Sequence, residues 1–507
     1  MATFPPINDD EFQEETPLLS TNARPSVSSS VSLRRRVIAT CALFLFIVEV
    51  SSFVMEPSTL QIVEDIICRN HYPDHKLGMP IVDRRCKDTS VQKTLAMIRS
   101  WSMSADMLIR PALVVQFPFG IMADKYGRRT VLILAFVGCV LQTSWVILVL
   151  QLPDIFSVWS LLYGSAAYAI GGGGQMAGAM IWTIVTDVTP VANRTTVFYQ
   201  LQAFYLLLAV LSNSLAAFLL SIDPWIGMWL GFGTLLLSVS AACLIPETLH
   251  LRHQVDTRHD SPQENGVGEN LTTDKGSCIS QAWAAVRHDA GHVWRFIFAS
   301  RSIVTLILAY GLFIPSKLGI KLNILQYMTR RFGWEWSTAT YISTVSNITS
   351  VVVLLVILPS ISAILVRRRT YNPLERDLLL SRVSSALVVV GGFMLAFAAV
   401  RWLFISSLVI ISLGVGFGVL CRALLNTLVE PHTVATVNTT ISMVETVVSL
   451  AGAPALGWLL SCGLEAGGPW LGLSFLVSAG FCTLAYLAIS IYRVPAGTPD
   501  TRETPTR

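Results

Sequence analysis

The sequence predicts an all-α membrane protein of twelve transmembrane helices arranged as two six-helix halves. Charge is scarce: 13% of the 507 residues are charged and 53% are hydrophobic, where a soluble domain carries about a quarter charged residues. The charge that remains sits between long apolar blocks of roughly twenty residues, the length that crosses a bilayer as a helix. A helix satisfies its own backbone polar groups, which is what hydrocarbon demands of any spanning segment. A long polar stretch then divides the blocks into two sets.

Residues 1–33 are polar and rich in Ser, Thr and Pro, without an apolar core or cleavage site, and read as a disordered cytoplasmic tail rather than a signal peptide. Arg34, Arg35 and Arg36 abut the first span, 37–60, and such a cluster keeps the N-terminus inside. The first half, 34–249, continues with spans at 105–122, 131–150, 157–184, 197–220 and 225–244. The polar segment 250–298 reads as a disordered cytoplasmic linker. The second half, 299–493, carries spans at 303–327, 338–365, 384–400, 403–420, 434–460 and 470–491, followed by a cytoplasmic tail, 494–507.

The halves echo one another, as repeats of a secondary transporter do. The fourth span carries Gly171 to Gly174 and Gly178 and ends at Asp187 before Pro190; the tenth carries Gly414, Gly416 and Gly418 and ends at Glu430 before Pro431. The pairs Gly174/Gly178 and Gly414/Gly418 have the spacing that lets helices approach closely. The basic residues are less orderly. Lys125, Arg128, Arg129, Arg194 and Arg367 fall on the inside, but Arg69, Lys76, Arg84, Arg85, Lys87, Arg330 and Arg331 fall outside.

Several function classes are disfavoured. A net charge of +4 without basic runs interleaved with aromatics gives no nucleic-acid footprint. Nine cysteines lack the paired spacing of a zinc site, so no metal is expected. No phosphate-binding loop accompanies the spans, no convergent His/Asp/Cys set suggests an enzyme, and no cofactor is expected. Cys68 and Cys86 flank the polar loop after the first span, and a disulfide between them fits an extracellular loop.

Between the second and third spans stands Gly120-Ile-Met-Ala-Asp124-Lys-Tyr-Gly127-Arg128-Arg129. It resembles the signature loop of the major facilitator superfamily, G-x-L-x-D-x-x-G-R-R/K. Gly127 permits a tight or left-handed turn, and Asp124 suits the positive end of a neighbouring helix. Asp187-Val-Thr-Pro190 with Arg194, after the fourth span, resembles a second loop of that superfamily. The resemblance implies an Arg128–Asp187 pair, with Arg129 and Arg194 beside it and an Asp124 contact to the eleventh span: a latch that holds an outward-open state. The stretches from Glu64 to Arg69, Val91-Gln92, Gln326 to Met328, Phe332 to Trp334, Leu358-Pro359 and Pro246 to Leu249 look like a fungal branch of presumed secondary-metabolite exporters. That branch is similar in part to proton-coupled folate and haem carriers.

Ionisable groups inside spans are costly and face a cavity or a partner. Glu49, Glu445 and Asp106 are the candidates for proton coupling, since burial favours a neutral carboxyl and reversible loading needs one near neutral pH. The alternative for Glu445 is a structural pair with Arg422, and for Asp106 a static pair with Arg110 one turn away. Lys317 and Lys321 share a face of the seventh span and suit an anionic substrate; the alternative is snorkelling to the headgroups. Arg110, Gln175 and Arg422 complete the candidate cavity.

These observations predict a monomeric secondary transporter in the plasma membrane, with the vacuolar membrane the less favoured alternative. Its partners are a small organic molecule, protons and the lipid bilayer, and its direction is efflux. Proton-coupled uptake of an anionic nutrient and a non-transporting nutrient sensor are the alternatives. The fifth span reads Leu211-Ser-Asn-Ser-Leu-Ala216, without the G-x-x-x-G-P of drug/proton antiporters.

Overall fold

The computed structural model describes residues 27–72, 84–109, 119, 122–123, 126–189, 191–245, 247, 301–367, 373–428 and 434–492. The expected linker, the C-terminal tail and most of the N-terminal tail lie outside these residues.

The described chain is helical. Its first half comprises α1 (Val27–His71), α2 (Thr89–Ile109), α3 (Arg128–Gln151), a 3-10 run (Val158–Ala169) leading to α4 (Gly173–Val188), α5 (Val191–Leu220) and α6 (Pro224–Leu244). The second comprises α7 (Arg301–Phe332), α8 (Trp336–Val352), a π turn (Val353–Ile357), α9 (Leu358–Arg367), α10 (Pro373–Ala396), α11 (Arg401–Leu413), α12 (Gly416–Thr427), α13 (Val434–Ala466) and α14 (Leu473–Ile491). Among the described residues, ten helical runs are long and apolar enough to cross a membrane; α8 with α9 forms one of them, and α11 with α12 another.

Three expectations change. Residues 27–33 belong to α1 and not to a tail, because extending an established helix gains a hydrogen bond for each residue fixed. The second helix starts at Thr89, well before 105. Its first turns are polar, yet Asp88 opens it: the Thr89 backbone N–H, then the Ser90 hydroxyl, hold the Asp88 carboxyl below the usual carboxylate range, and Tyr72 adds a donor at 3.2 Å. The fourth span is not one continuous helix. Gly171, Gly172 and Gly173 take φ of 82°, 80° and 62°, and a Cβ on Gly171 would lie 2.6 Å from the Leu134 oxygen, so the glycine run presses a kink onto α3.

The small-residue pairs also separate. A Cβ on Gly414 would lie 2.5 Å from the Ser384 oxygen and 3.0 Å from the Val388 nitrogen, a true close approach to α10. Gly174 and Gly178 have nothing within 4 Å of that position. Gly174 borders a cavity and not a neighbouring helix, so the close-approach expectation fails for this pair.

Within the first half, α1 packs on α5 and α6, and α3 on α4 and α6; within the second, α14 packs on α7 and α10. The halves meet along α2 against α13 and α5 against α8. Among the described residues, one large apolar core spans both halves, and it lies at one end. Ile66, Leu95 and Leu150 share a cluster with Tyr327, Phe404 and Phe475 at the end that carries Cys68 and Cys86. There Tyr327 stacks on Phe404 at 5.9 Å and meets the edge of Phe475 at 5.2 Å. At the opposite end, which carries Gly127, Phe44, Leu132 and Phe136 form one core and Ile303, Phe417 and Leu424 another. Among the described residues, the bundle is thus closed at the disulfide end and split at the Gly127 end.

Candidate functional site

The split leaves two hollows between the halves, of about 600 Å³ and 460 Å³, sharing Met103, Met107 and Lys321 in their walls. Each is of a size suited to a small organic ligand.

The second half supplies one charge cluster. Glu445 on α13 accepts from Arg422 at 3.0 Å, Lys317 at 3.1 Å and the Tyr310 hydroxyl at 3.3 Å. Arg422 also donates to Tyr310 at 3.0 Å and lies over its ring at 5.4 Å. Glu445 therefore sits in the Arg422 pairing weighed from the sequence, with Lys317 added. Lys317 and Lys321 both line the larger hollow, as does Gln175.

The first half is polar in a different way. Arg99 on α2 donates to Glu56 at 2.8 Å and, across the halves, to the Lys321 backbone oxygen at 2.9 Å. Asp106 accepts from Ser165 at 2.6 Å. Glu49 is half-buried on α1, with Lys321 and Tyr205 as its electrostatic neighbours. Arg110 lies outside the described residues, and the expected Asp106–Arg110 pair with it.

At the Gly127 end, φ of 106° at Gly127 fits the turn expected from the signature loop. A Cβ there would meet the Glu247 carboxylate, its Cδ at 2.7 Å. Glu247 accepts the backbone N–H groups of Arg128 at 3.0 Å and Arg129 at 3.2 Å. A carboxylate thus answers the positive N-terminus of α3. Glu247 belongs to the branch-like segment Pro246 to Leu249. Asp124 lies outside the described residues, and so do the side chains of Asp187 and Arg194, whose backbones belong to α4 and α5. The Arg128–Asp187 and Asp124 contacts of the latch therefore fall outside what the structure describes.

The disulfide end carries a second polar cluster, and it joins the halves. Cys68 and Cys86 form a disulfide, Cα atoms 5.1 Å apart. Glu64, only 3% exposed, accepts from Lys87 at 2.7 Å, from the Trp336 indole at 2.6 Å and from the Gln92 amide. Gln326 donates to the Gln92 backbone oxygen at 2.6 Å, and Lys87 lies 5.1 Å from the Trp336 ring centre. Lys93 pairs with Glu465 across the same junction. The branch-like segments around Glu64, Gln92, Gln326 and Trp334 thus converge on one buried polar knot joining the halves. Several basic residues that had blurred the charge rule are held there too: Arg69 pairs with Asp154 at 2.6 Å, and Arg331 donates to the Gly468 oxygen at 2.7 Å.

A split helical bundle with a charged cavity between its halves is the architecture of a membrane transporter. The family profile of the Major Facilitator Superfamily matches residues 96–453. The chain belongs to that superfamily, whose members are multi-span membrane transporters of small molecules. It is similar to the MFS efflux pump atnC of Emericella nidulans, 26% identical over 90% of this chain and 88% of the relative. It is also similar to the efflux pump ustT of Aspergillus flavus, 27% identical over 89% and 87% of the two chains. Among solved structures, a D-xylose-proton symporter matches with a TM-score of 0.58 at 12% identity, over 91% of this chain and 98% of that one. That likeness concerns the fold.

Proposed function

We propose that this chain is a proton-coupled exporter of a small organic molecule, working by alternating access. The observation that carries this reading is a charged cavity between two halves that, among the described residues, are fused at one end and parted at the other. Such a cavity is one of the two states an alternating-access carrier visits. The efflux pumps among its relatives support the outward direction.

The spans number twelve in this reading: α2 and the 158–188 run join the ten apolar runs, giving six in each half. The disulfide end faces outward, where thiols are oxidised, and the Gly127 end faces the cytoplasm, making this the inward-open state. In the plasma membrane the opposite state closes the cytoplasmic end through Asp124, Gly127, Arg128, Arg129, Asp187 and Arg194. Glu49, Glu445 and Asp106 are the carboxylates through which a proton can bias the two states. Glu445 answers two cations and a hydroxyl, so its protonation would free Lys317 and Arg422 together.

Inside-out vesicles from cells that express the chain, offered an extract of small organic compounds, test this directly. An acid-inside gradient should drive accumulation of at least one compound, and a protonophore or Glu49→Gln should abolish the pH dependence. Accumulation that ignores the gradient would remove the proton from the mechanism; no accumulation would favour a sensor.

A further inference from the structure

Most charged groups of the cavity already have a partner. On the second half, Glu445 is engaged by Lys317, Arg422 and Tyr310. On the first half, Glu56 holds Arg99 and Asp106 accepts from Ser165. One cation is left over. The Lys321 ammonium is exposed to both hollows and has no hydrogen bond or ion pair among the described residues; its backbone oxygen alone is used, by Arg99. Glu49 is its electrostatic neighbour across the halves, without a salt bridge between them. A second surplus lies next to it. Arg99 engages Glu56 and Lys321 through one terminal nitrogen, while the other, Nη1, is buried without an acceptor among the described residues.

A buried donor without an acceptor, such as Arg99 Nη1, is costly, and the exposed Lys321 ammonium beside it is a cation open to an anionic ligand. The Lys321 ammonium offers the hollows a donor for which a ligand can bring the acceptor. The smaller hollow mixes Glu56, Asp106 and Gln142 with an adaptable apolar part, Met55, Met103, Met107 and Phe136, and methionine conforms to varied apolar shapes.

We propose that the cargo is an amphiphilic organic anion whose carboxylate docks on Lys321, beside Arg99, and whose apolar body lies against Met55, Met103 and Met107. This rests on the transport reading and narrows it to a substrate class. The adjoining Lys317 does not serve in the same way, because Glu445 already answers it.

The test uses a matched pair of probes, 1-naphthaleneacetate and its neutral amide, titrated against the purified full-length chain by thermal stabilisation at neutral pH. Wild type should bind the acid about tenfold more tightly than the amide, the worth of one charge-assisted hydrogen bond. Lys321→Gln should bring that ratio to about one, while Lys321→Arg keeps it; the melting temperatures of the unliganded variants report whether they fold. The absence of any preference for the acid in wild type overturns the proposal, as does a preference that survives Lys321→Gln. Flux of the same probes into proteoliposomes separates the two levels. Selective binding without flux keeps the anion site and removes transport, whereas equal flux of acid and amide keeps transport and removes the anion site.

Discussion

The indole N–H of Trp336 donates to the Glu64 carboxylate at 2.6 Å, and through this contact α8 of the second half closes on α1 of the first. Glu64 is deeply buried and already bears the charge of Lys87, so the bond has a charged acceptor, worth about 1.5–3 kcal/mol. Trp336→Phe keeps an aromatic ring and removes the donor. It should shift the population toward opening at the disulfide end by about tenfold or more. An impermeant maleimide acting on a cysteine at Met103, in a chain stripped of other reactive cysteines, should react faster in that variant.

The disulfide between Cys68 and Cys86 closes a loop with a sequence separation of 18. Closing a loop of that length removes about 3 kcal/mol of unfolded-chain freedom. Cys68→Ser with Cys86→Ser should lower the melting temperature in detergent by several degrees. A reductant should reproduce the loss in wild type and add nothing in the double variant.

Glu445→Gln leaves Lys317 and Arg422 facing each other without their shared carboxylate. Because Lys317 is 66% exposed and Glu445 31%, the cost is that of a screened cluster, about 1 kcal/mol. Adding Lys317→Gln should recover part of it, and a double-mutant cycle on melting free energies measures the coupling.

Gly127→Ala meets both a left-handed backbone and the Glu247 carboxylate. The backbone strain alone is about 1–3 kcal/mol. The amount of folded protein should fall, whereas Gly233→Ala, in a helix with open space at its Cβ position, should be tolerated. Glu247→Gln keeps an acceptor for the Arg128 and Arg129 backbone and loses the charge, so its effect should be smaller, below about 1 kcal/mol.

The helical runs were readable because a span must be both apolar and long, and composition records both. Gly127 was readable because its turn tolerates few other residues. The start of α2 was not: its first turns face the other half and the polar knot, so they carry Gln92, Lys93 and Arg99 where a lipid-facing helix would be apolar. Pairings across the halves escaped for a different reason. Glu64 and Trp336 stand 272 positions apart, and nothing local to either residue names its partner. Glu445 was caught because few cations lie within spans, and Arg422 was one of them.

In the proposed mechanism, alternation of the two ends makes the cavity a path and not a pocket. Spin labels at Tyr126 and Thr427 report the Gly127 end, and labels at Ile155 and Trp402 report the disulfide end; all four are exposed. Pulsed distance measurements on wild type and Trp336→Phe compare the two ends in one experiment. The expected result is opposition: as the 155–402 distance lengthens in the variant, the 126–427 distance shortens. Two distances that stay fixed, or lengthen together, would contradict alternating access and the transport mechanism built on it.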